Sequence, residues 1–382
     1  MKTILNTLPF SVTLKYTQIA NDMLSKGKDV IKLTAGEPDF PTPDFVCEAA
    51  IKAIDEGFTK YTASSGIVEL RKGISTFLKN TYNIEYSQDE IVVSNGGKQA
   101  LFNSIYAITD PGDEVIVFTP DWVSYIPQIR FCGCKEVLVE TLMENEFIPE
   151  IESIKSAITE KTKAIIINSP NNPTGSVYPE STLKEIAKLA LENNLIVISD
   201  EIYANLNYDE KHISIASMEN MKERTIVLNG FSKSHSMTGW RVGYTAAPKE
   251  ISREIGKLQS HMTSNINSIA QKAALAALEV NTDYMLEEFD KRRKIICEAL
   301  TEIGIDYYRP KGAFYVFMDF RNFKNKFDND DQLTMFLIEK YGLVLIPGSA
   351  FNSPFFMRLS YASSIDTIER AIQKIKELKS DF

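Results

Sequence analysis

TIVLNGFSKSHSMTGWRVGY, residues 225–244, joins an apolar run to a polar turn that carries one lysine and one arginine. The run 225–228 predicts a strand, and Lys233 follows it among small hydroxyl residues, eight positions before Arg241. An amine at the end of a buried strand loses solvation, which lowers its pKa and makes it a nucleophile able to form a Schiff base. A nearby guanidinium can bind a phosphate or a carboxylate. On this stretch alone, a solvated loop with two surface cations remains an equal alternative.

Length, charge and cysteine content argue against several classes of protein. At 382 residues the chain exceeds the usual size of one domain, so we expect two. The net charge of −9 argues against nucleic acid or an anionic membrane as the main partner. Four scattered cysteines and three histidines without ligand spacing predict neither a disulfide framework nor a metal site, and they favour a cytoplasmic location. No apolar run has the length or flanks of a membrane helix or a signal peptide, so we expect neither.

Apolar strands alternate with amphipathic helices over the first two thirds of the chain. Predicted strands lie at residues 90–93, 114–120, 135–140, 163–168, 195–199 and 225–228. This alternation predicts a mainly parallel sheet covered by helices on both faces, with the ligand site beyond the carboxyl ends of the strands. Five polar positions follow strands, namely Gly97, Trp122, Asn172, Asp200 and Lys233. We therefore expect them to meet at one edge of the sheet.

Two further patterns indicate anion binding. The segment SNGGK, residues 94–98, links a strand to a helix, and the free amides of a helix start favour a phosphate, although a plain tight turn is the alternative. It is neither a Walker A loop nor a three-glycine dinucleotide loop. After a helical region that runs to about residue 303, a smaller α/β unit contains the predicted strands 314–320, 344–349 and 355–361. Arg358 in the last of these is costly among apolar neighbours unless it forms a salt bridge or faces a cleft.

Seven motifs occur along the chain in an order typical of one enzyme family. They are GEPDFPTP (36–43), KYTASSG (60–66), GGKQAL (96–101), SPNNPTG (169–175), SDEIY (199–203), GFSKSHSMTGWRVGY (230–244) and MRLSYA (357–362). One such motif is a weak signal, but seven in order over nearly the whole chain are highly specific. The sequence thus resembles the fold type I pyridoxal-phosphate enzymes and, among them, the class I aminotransferases. The resemblance implies an α/β fold with a large cofactor-binding domain at residues 41–289 and a small domain made of residues 1–40 and 290–382.

The resemblance also implies where the cofactor, pyridoxal 5'-phosphate, is held. Lys233 matches the lysine that binds the cofactor covalently and later moves a proton between the substrate α-carbon and the cofactor. Asp200 matches the carboxylate that pairs with the pyridine nitrogen. Other positions match residues that contact the ring or the phosphate, namely Trp122, Asn172, Tyr203, Gly97, Lys98, Arg241 and Tyr61. Tyr61 matches a tyrosine supplied by the neighbouring subunit, which implies a homodimer with shared sites.

Substrate binding is implied by a second set of positions. Arg358 matches the group that binds the substrate α-carboxylate in a bidentate manner, and Gly36, Trp122 and Asn172 match residues near it. The implied reaction comprises two half-reactions, in which an L-amino acid gives its amino group to the enzyme and a 2-oxo acid, expected to be 2-oxoglutarate, takes it away.

The preferred amino acid depends on fewer residues. The chain most resembles the bacterial aspartate aminotransferase branch, in which Lys98, Ser11 and Thr13 match positions that hold the distal carboxylate of aspartate or glutamate. Aspartate is therefore the first expectation, with a phosphate-side or solvated Lys98 as the alternative. Some members also use prephenate, but residues 8–10 read LPF here, which does not favour it. An aromatic, methionine or alanine aminotransferase is the alternative.

Two positions have no ready place in this pattern, and two rival functions remain. Gly230 stands where better-known aspartate aminotransferases carry a phosphate-binding serine, and Ser232 is a candidate substitute. His235 has no assigned role and is expected to be an ordinary loop histidine. A pyridoxal-phosphate lyase shares the fold, since fold does not fix the reaction. A non-catalytic effector-binding domain is disfavoured, because no basic segment of helix-turn-helix size precedes Gly36.

Overall fold

Helices cover both faces of the central sheet in the computed structural model, which describes Asn6, Leu8 and residues 12–380. The α-helices are α1 (Val12–Ser25), α2 (Asp44–Asp55), α3 (Val68–Tyr82), α4 (Gly96–Ile108), α5 (Tyr125–Phe131), α6 (Ile151–Ala157), α7 (Glu180–Glu192), α8 (Lys249–Met262), α9 (Ser268–Ala277), α10 (Asp283–Ile303), α11 (Asp330–Tyr341) and α12 (Ile365–Ser380). The alternation of strands and helices predicted for the first two thirds of the chain is present.

The strands form three sheets. They are β1 (Ile31–Lys32), β2 (Ile91–Ser94), β3 (Glu114–Thr119), β4 (Lys135–Glu140), β5 (Thr162–Asn168), β6 (Ile196–Asp200), β7 (Thr225–Gly230), β8 (Gly243–Ala246), β9 (Tyr307–Tyr308), β10 (Tyr315–Asp319), β11 (Leu343–Val344), β12 (Ile346–Pro347) and β13 (Phe356–Ser360). The large sheet has the order β2-β8-β7-β6-β5-β3-β4, and every neighbouring pair that does not include β8 is parallel. The predicted mainly parallel α/β sheet is therefore confirmed.

Strand β8 is the element of this sheet that the sequence pattern does not predict. It lies antiparallel between β2 and β7, and it is reached from β7 through the turn that contains Lys233 rather than through a helix. A short run that opens with a glycine and follows a polar turn gives no periodic signal of its own. Because β2 remains parallel to β7, the polar segments that follow the parallel strands still end at one edge of the sheet.

The remaining strands form two small sheets. Strands β12, β13, β10 and β9 form an antiparallel sheet in that order, while β1 pairs in parallel with β11. The single strand predicted at 344–349 is wrong, because the chain changes sheets after Val344 and turns into a short 3-10 helix at Gly348. Arg358 lies on β13, between Ile346 of β12 and Phe317 of β10.

Two apolar layers hold the helices against the large sheet. On one face Ile74 of α3 and Ala273 of α9 pack in the same buried cluster as Val227 of the sheet, and on the other face Leu101 of α4 packs with Ile226. Each fully buried branched side chain contributes roughly 1.5–3 kcal/mol to the stability of the fold. This packing holds the sheet in place, and with it the edge on which the polar segments lie. A third cluster joins β1, α10, α12 and the antiparallel sheet. The two-domain boundaries proposed from the sequence stay a prediction.

Two kinds of feature are absent from the described residues. None of their helices combines the length and the hydropathy needed to cross a membrane. No group of three or more histidine, cysteine or acidic side chains in the same part of the chain could hold a metal ion.

Candidate active site

One cavity lies at the carboxyl-end edge of the large sheet and brings together most of the residues that the sequence singles out. Those that line it are Thr13, Gly36, Gly97, Lys98, Trp122, Asn172, Asp200, Tyr203, Lys233, Arg241 and Arg358. Two predicted residues are not among them. Tyr61 is 88% exposed and lies outside the cavity, and Ser11 falls outside the described residues.

The Lys233 amine lies inside this cavity on the turn between β7 and β8. Its Nζ donates a hydrogen bond to the carbonyl oxygen of Gly36 at 2.5 Å. Burial lowers the pKa of Lys233 to about 8, the Glu37 carboxylate opposes this shift, and the Arg241 guanidinium adds to it. Near neutral pH a far larger fraction of this amine is unprotonated than for a solvated lysine, so it can act as a nucleophile or a base.

Asp200 is a buried carboxyl group at the end of β6. Its Oδ2 accepts a hydrogen bond from the Tyr125 hydroxyl at 2.7 Å, and its Oδ1 accepts one from the backbone amide of Ile202 at 3.2 Å. Burial raises the pKa of Asp200 to about 6, while the bond from Tyr125 opposes the rise. A carboxylate with an elevated proton affinity is suited to pairing with a protonated ring nitrogen, because each holds the other in its charged form.

Tyr125 is a functional residue that the sequence reasoning does not single out. It is the first residue of α5, three positions after Trp122, and its buried hydroxyl holds the Asp200 carboxylate in place. The only available signal is its position after the end of β3, since the sequence places Trp122 and Tyr125 at the same sheet edge as Asp200. Without that signal, a tyrosine at the start of an apolar helix would be interpreted as a core residue.

Arg358 is buried and has no carboxylate partner among the described residues, so the salt-bridge interpretation does not hold. Its Nη1 donates to Oδ1 of Asn172 at 2.9 Å, and its Nη2 donates to the carbonyl oxygen of Thr34 at 3.0 Å. The guanidinium carbon lies 4.4 Å from the ring centroid of Tyr315 and 5.0 Å from that of Phe351. The buried Nε has no hydrogen-bond partner in the part of the chain that the structure describes. A buried cation that is held in place but keeps an unused donor is suited to binding an anion.

Another part of the cavity wall carries two tyrosines, Tyr203 and Tyr315, and a lysine, Lys98, whose amine lies over the Trp122 indole ring. The Tyr203 and Tyr315 hydroxyls lie 2.8 Å apart, and the Tyr315 ring in turn packs against Arg358. The Lys98 amine lies 5.2 Å from the centroid of the Trp122 ring. Burial lowers the pKa of Lys98, and the positive charge of Arg241 adds to this shift. Lys98 is exposed as a residue, and it also lines the cavity.

The start of α4 forms a glycine cradle, in which the absence of side chains lets Arg241 approach the backbone closely. Gly96 has a φ of +77°, and a Cβ added there would lie 2.5 Å from Nη2 of Arg241. Arg241 itself has a φ of +58°, and its Nη1 donates to the carbonyl oxygen of Thr238 at 2.8 Å. No side chain caps the helix start at Asn95. Free amides beside a fixed guanidinium fit a phosphate group.

The two unusual positions of the turn both have structural explanations. A Cβ on Gly230 would lie 2.9 Å from the Gly243 Cα atom and 2.9 Å from the carbonyl oxygen of Val242, so a serine does not fit there. Ser232 lines the cavity instead. His235 is buried rather than an exposed loop residue, and its Nδ1 lies 2.8 Å from the Ser234 hydroxyl. Burial lowers the pKa of His235 to about 4.

Known proteins resemble this chain over nearly its whole length. Residues 28–375 match the family described as "Aminotransferase class I and II". An aspartate aminotransferase of Thermotoga maritima is 46% identical over 373 residues, which span 98% of this chain and 97% of that protein. A probable aspartate/prephenate aminotransferase of Aquifex aeolicus is 46% identical over 96% of this chain and 95% of its own length.

A solved structure of similar fold extends the comparison to three dimensions. The structure of aspartate aminotransferase from Thermus thermophilus with maleate superimposes with a TM-score of 0.95 at 39% identity and covers 99% of both chains. The lysine turn, the buried carboxylate, the glycine cradle and the buried arginine thus occur in a chain that resembles these enzymes from end to end. This chain belongs to the class I and II aminotransferase family.

Proposed function

We propose that this aminotransferase uses pyridoxal 5'-phosphate and transfers the amino group of L-aspartate to 2-oxoglutarate. The observation that carries the proposal is one cavity lined by the half-buried Lys233 side chain together with the buried Asp200 carboxyl and the buried Arg358 guanidinium. Each of these groups is costly to bury without a ligand. The family as a whole is an aminotransferase family, and the residues present fit its cofactor.

Four parts of the cavity would hold the cofactor. Lys233 would bind its aldehyde carbon, Asp200 would pair with the ring nitrogen, and the Trp122 ring would stack on the pyridine. The amides of Gly97 and the Arg241 guanidinium would bind the phosphate. When bound, pyridoxal phosphate supplies an electron-accepting ring that stabilises negative charge on the substrate α-carbon.

The chain's own residues perform binding, orientation and proton transfer. Arg358 binds the substrate α-carboxylate and is itself fixed by Asn172 and the carbonyl of Thr34, so the amino acid enters in one orientation. The Lys233 amine, whose pKa is about 8, would remove the proton from the substrate α-carbon. It would then deliver this proton to the cofactor. Asp200 would keep the ring nitrogen of the cofactor protonated, and the hydrogen bond from Tyr125 holds Asp200 in place.

A preference for dicarboxylic substrates is supported by Lys98 and Thr13. Both line the cavity, and Lys98 is one of its cations that neither the phosphate nor the α-carboxylate requires. The relatives named above are an aspartate aminotransferase and a probable aspartate/prephenate aminotransferase, and the solved aspartate aminotransferase was obtained with maleate, which is itself a four-carbon dicarboxylate. In this proposal Lys98 pairs with the distal carboxylate of aspartate.

A homodimer belongs to the same proposal. Tyr61 is 88% exposed and lies outside the cavity of its own chain, so we assign it to the phosphate of a second copy. Three apolar side chains of α2, Phe45, Ile51 and Ile54, are each at least half exposed, which favours a contact surface on that helix. The cytoplasmic location stays a prediction based on the free cysteines and the charge.

A spectroscopic experiment separates this function from its rivals. Addition of L-glutamate or L-aspartate without an oxo acid should convert the absorbance of the lysine-bound cofactor to that of the pyridoxamine form, with one oxo acid released per site. A lyase would instead release ammonia, and a non-catalytic binding domain would show no conversion. A panel of donors with 2-oxoglutarate then tests the substrate: higher kcat/KM for phenylalanine, methionine or alanine than for aspartate would refute the aspartate assignment.

A further inference from the structure

Asp121 is a buried carboxyl group for which the proposed function gives no role. It lies two residues beyond the end of β3 and directly before Trp122, and only 1% of its surface is exposed. Within residues 12–380 its side chain is bound by an uncharged group, the Asn352 amide, and its Oδ2 has no hydrogen-bond partner there. A carboxyl group buried with so few partners is costly to the fold, so its position calls for an explanation.

Asp121 joins the edge of the large sheet to a turn of the antiparallel sheet. Its Oδ1 accepts a hydrogen bond from Nδ2 of Asn352 at 2.6 Å, and its backbone amide donates one to the carbonyl oxygen of Phe351 at 3.1 Å. Phe351 ends the 3-10 helix Gly348–Phe351, which follows β12, and Asn352 comes next in the left-handed conformation with a φ of +58°. Two successive residues, the Phe351–Asn352 turn, are therefore fixed to the residue that precedes Trp122.

The Phe351–Asn352 turn supplies one wall of the position assigned to the substrate α-carboxylate. The Phe351 ring is buried, lines the cavity, and has its centroid 5.0 Å from the guanidinium carbon of Arg358. An aromatic face at this distance attracts the cation and limits where the guanidinium can lie. Phe317, the cross-strand neighbour of Arg358, forms an edge-to-face pair with Phe351, with centroids 6.1 Å apart. A shift of the turn would therefore move the group that orients the substrate.

A second carboxylate, Asp330, holds the same region from the other side. Its Oδ2 accepts hydrogen bonds from the backbone amides of Ser349 at 2.8 Å and of Phe355 at 3.1 Å. Asp330 is the first residue of α11, which precedes the turn in the chain, so these bonds maintain the local shape of the turn. The bonds of Asp121 instead set where the turn lies relative to the large sheet.

The strength of this link depends on whether Asp121 is charged. Burial raises the pKa of Asp121 to about 7, the hydrogen bond from Asn352 opposes the rise, and the negative charge of Glu136 on β4 adds to it. Glu136 is itself paired with Arg130 of α5, and burial raises the pKa of Tyr125 on the same helix well above its ordinary value, so that Tyr125 stays neutral. A carboxylate accepts a hydrogen bond more strongly than a neutral carboxyl group does. Protonation of Asp121 thus weakens its bond to the turn.

We infer that Asp121 is a positioning residue for the substrate α-carboxylate: as a carboxylate it holds the Phe351–Asn352 turn so that the Phe351 ring fixes the Arg358 guanidinium, and proton uptake on Asp121 loosens this hold. The inference rests on the proposed function, because it assumes that Arg358 binds the α-carboxylate. It adds a residue that touches neither cofactor nor substrate, and it makes substrate affinity depend on pH in a way that one substitution removes.

The test removes the charge and the hydrogen-bond donor separately. Asp121→Asn keeps the shape of the side chain and imitates its protonated form at every pH. Asn352→Gly removes the donor and still accepts the left-handed conformation. Asp110→Asn makes the first change at an exposed position outside the cavity. For each holoenzyme the dissociation constant of the unreactive maleate is measured from the cofactor absorbance between pH 6 and pH 8.5, and kcat and KM are measured with aspartate and alanine.

At pH 8.5 we expect Asp121→Asn and Asn352→Gly to weaken maleate binding by about fivefold and to raise KM for both donors by a similar factor, since both donors carry an α-carboxylate. The kcat values and the cofactor affinity should change less than about twofold, and Asp110→Asn should match the parent enzyme. At pH 6 most of Asp121 is protonated in the parent enzyme, so the parent and Asp121→Asn should differ by less than about twofold.

Parental or tighter maleate binding in both variants at pH 8.5 would overturn the role of Asp121 and leave the proposed function intact. A loss of the same size at pH 6 and pH 8.5, or one matched by an equal loss of cofactor affinity, would show a merely structural residue and overturn it as well. If Asp121→Asn does not fold, Asn352→Gly decides the outcome, because Asn352 is exposed. A parent enzyme that neither binds maleate nor converts its cofactor with aspartate would overturn both proposals.

Discussion

Gly230 and Gly243 face each other across the antiparallel pair formed by β7 and β8, and neither position has room for a side chain. A Cβ on Gly243 would lie 2.5 Å from the backbone nitrogen of Gly97, and one on Gly230 would lie 2.9 Å from the Gly243 Cα atom. Three segments thus approach one another with backbone against backbone: the end of β7, the start of β8 and the start of α4. This contact places the glycine cradle beside the lysine turn.

Gly230→Ser is therefore expected to weaken the protein rather than to add a phosphate ligand. The new side chain must displace β8 or the start of α4, which we expect to cost about 1–3 kcal/mol of the free energy of unfolding. Cofactor affinity should fall at the same time, because α4 carries the phosphate-binding amides. Thermal unfolding and the dissociation constant of pyridoxal phosphate are the measurements.

Gly239→Ser provides the matched control for this substitution. Gly239 lies in the same turn, but a Cβ added there meets no atom within 4 Å. The control should change the free energy of unfolding by less than about 0.5 kcal/mol. If Gly230→Ser instead bound the cofactor more tightly without loss of stability, the close-packing explanation would be wrong.

Lys233→Ala should abolish amino transfer while the protein stays folded. The substitution removes both the amine that binds the cofactor and the base that moves the proton, so we expect turnover to fall by at least about 10³-fold. Circular dichroism and thermal unfolding should show a native fold, because the Lys233 side chain lies in a cavity rather than in a packed core.

Lys249→Ala is the control for the loss of an amine, because Lys249 is exposed at the start of α8. Lys249→Ala should keep parental turnover and the parental cofactor spectrum. A Lys233→Ala enzyme that retained near-normal rates would refute the assignment of this lysine, whatever the control showed.

The prediction from sequence succeeded where chemistry follows a strong periodic element. Asp200, Asn172 and Lys233 each follow a buried parallel strand, and strands of that kind must end at one edge, so their meeting in one cavity could be predicted. Strand β8 and the role of Tyr125 could not be predicted. A four-residue strand is too short to show a periodic pattern, and the hydrogen bond from Tyr125 to Asp200 is visible only in the folded structure. The split of the strand predicted at 344–349 is likewise a tertiary effect.

The roles of the unusual residues depended on distances that no sequence pattern contains. Gly230 looked like the loss of a serine ligand, but the structure shows that backbone atoms occupy the space that a side chain would need. His235 was expected to be an ordinary loop histidine, and it does lie in a turn, but it is buried beside Phe231 and Ser234. The neighbours of Gly230 come from β8, which is weakly patterned, and the His235 ring also lies near backbone groups of Ala277 and Val280, which are distant from it in sequence.

Lys98→Ala should impair aspartate much more than alanine or phenylalanine. Loss of a charged hydrogen bond to the distal carboxylate corresponds to about 10- to 100-fold in kcat/KM. Substrates without a second carboxylate lose no such bond, so they should change by only a few fold. The measurement is kcat/KM for the three donors with a fixed oxo acid. Equal losses on all three would indicate that Lys98 serves the cofactor phosphate, and the dicarboxylate assignment would fail.

His235 should make the protein sensitive to acid. Its folded-state pKa of about 4 lies below the ordinary value of 6.5, so the unfolded chain takes up the proton first. The stability contributed by the neutral imidazole is complete above about pH 6.5 and is lost progressively as the pH falls toward 4. Between pH 7.5 and pH 5 the parent protein should lose about 2 kcal/mol more of its free energy of unfolding than His235→Gln, which cannot titrate.

Denaturant unfolding of the cofactor-free protein at several pH values measures this difference, because the absence of cofactor removes the titration of its phosphate and its lysine bond from the comparison. The difference between parent and variant matters more than either curve, since buried carboxyl groups such as Asp200 titrate in the same range in both proteins. Parallel curves would show that the imidazole titrates normally in the folded state. In that case His235 would not be the closed packing position that its contacts with Phe231 and Ser234 indicate.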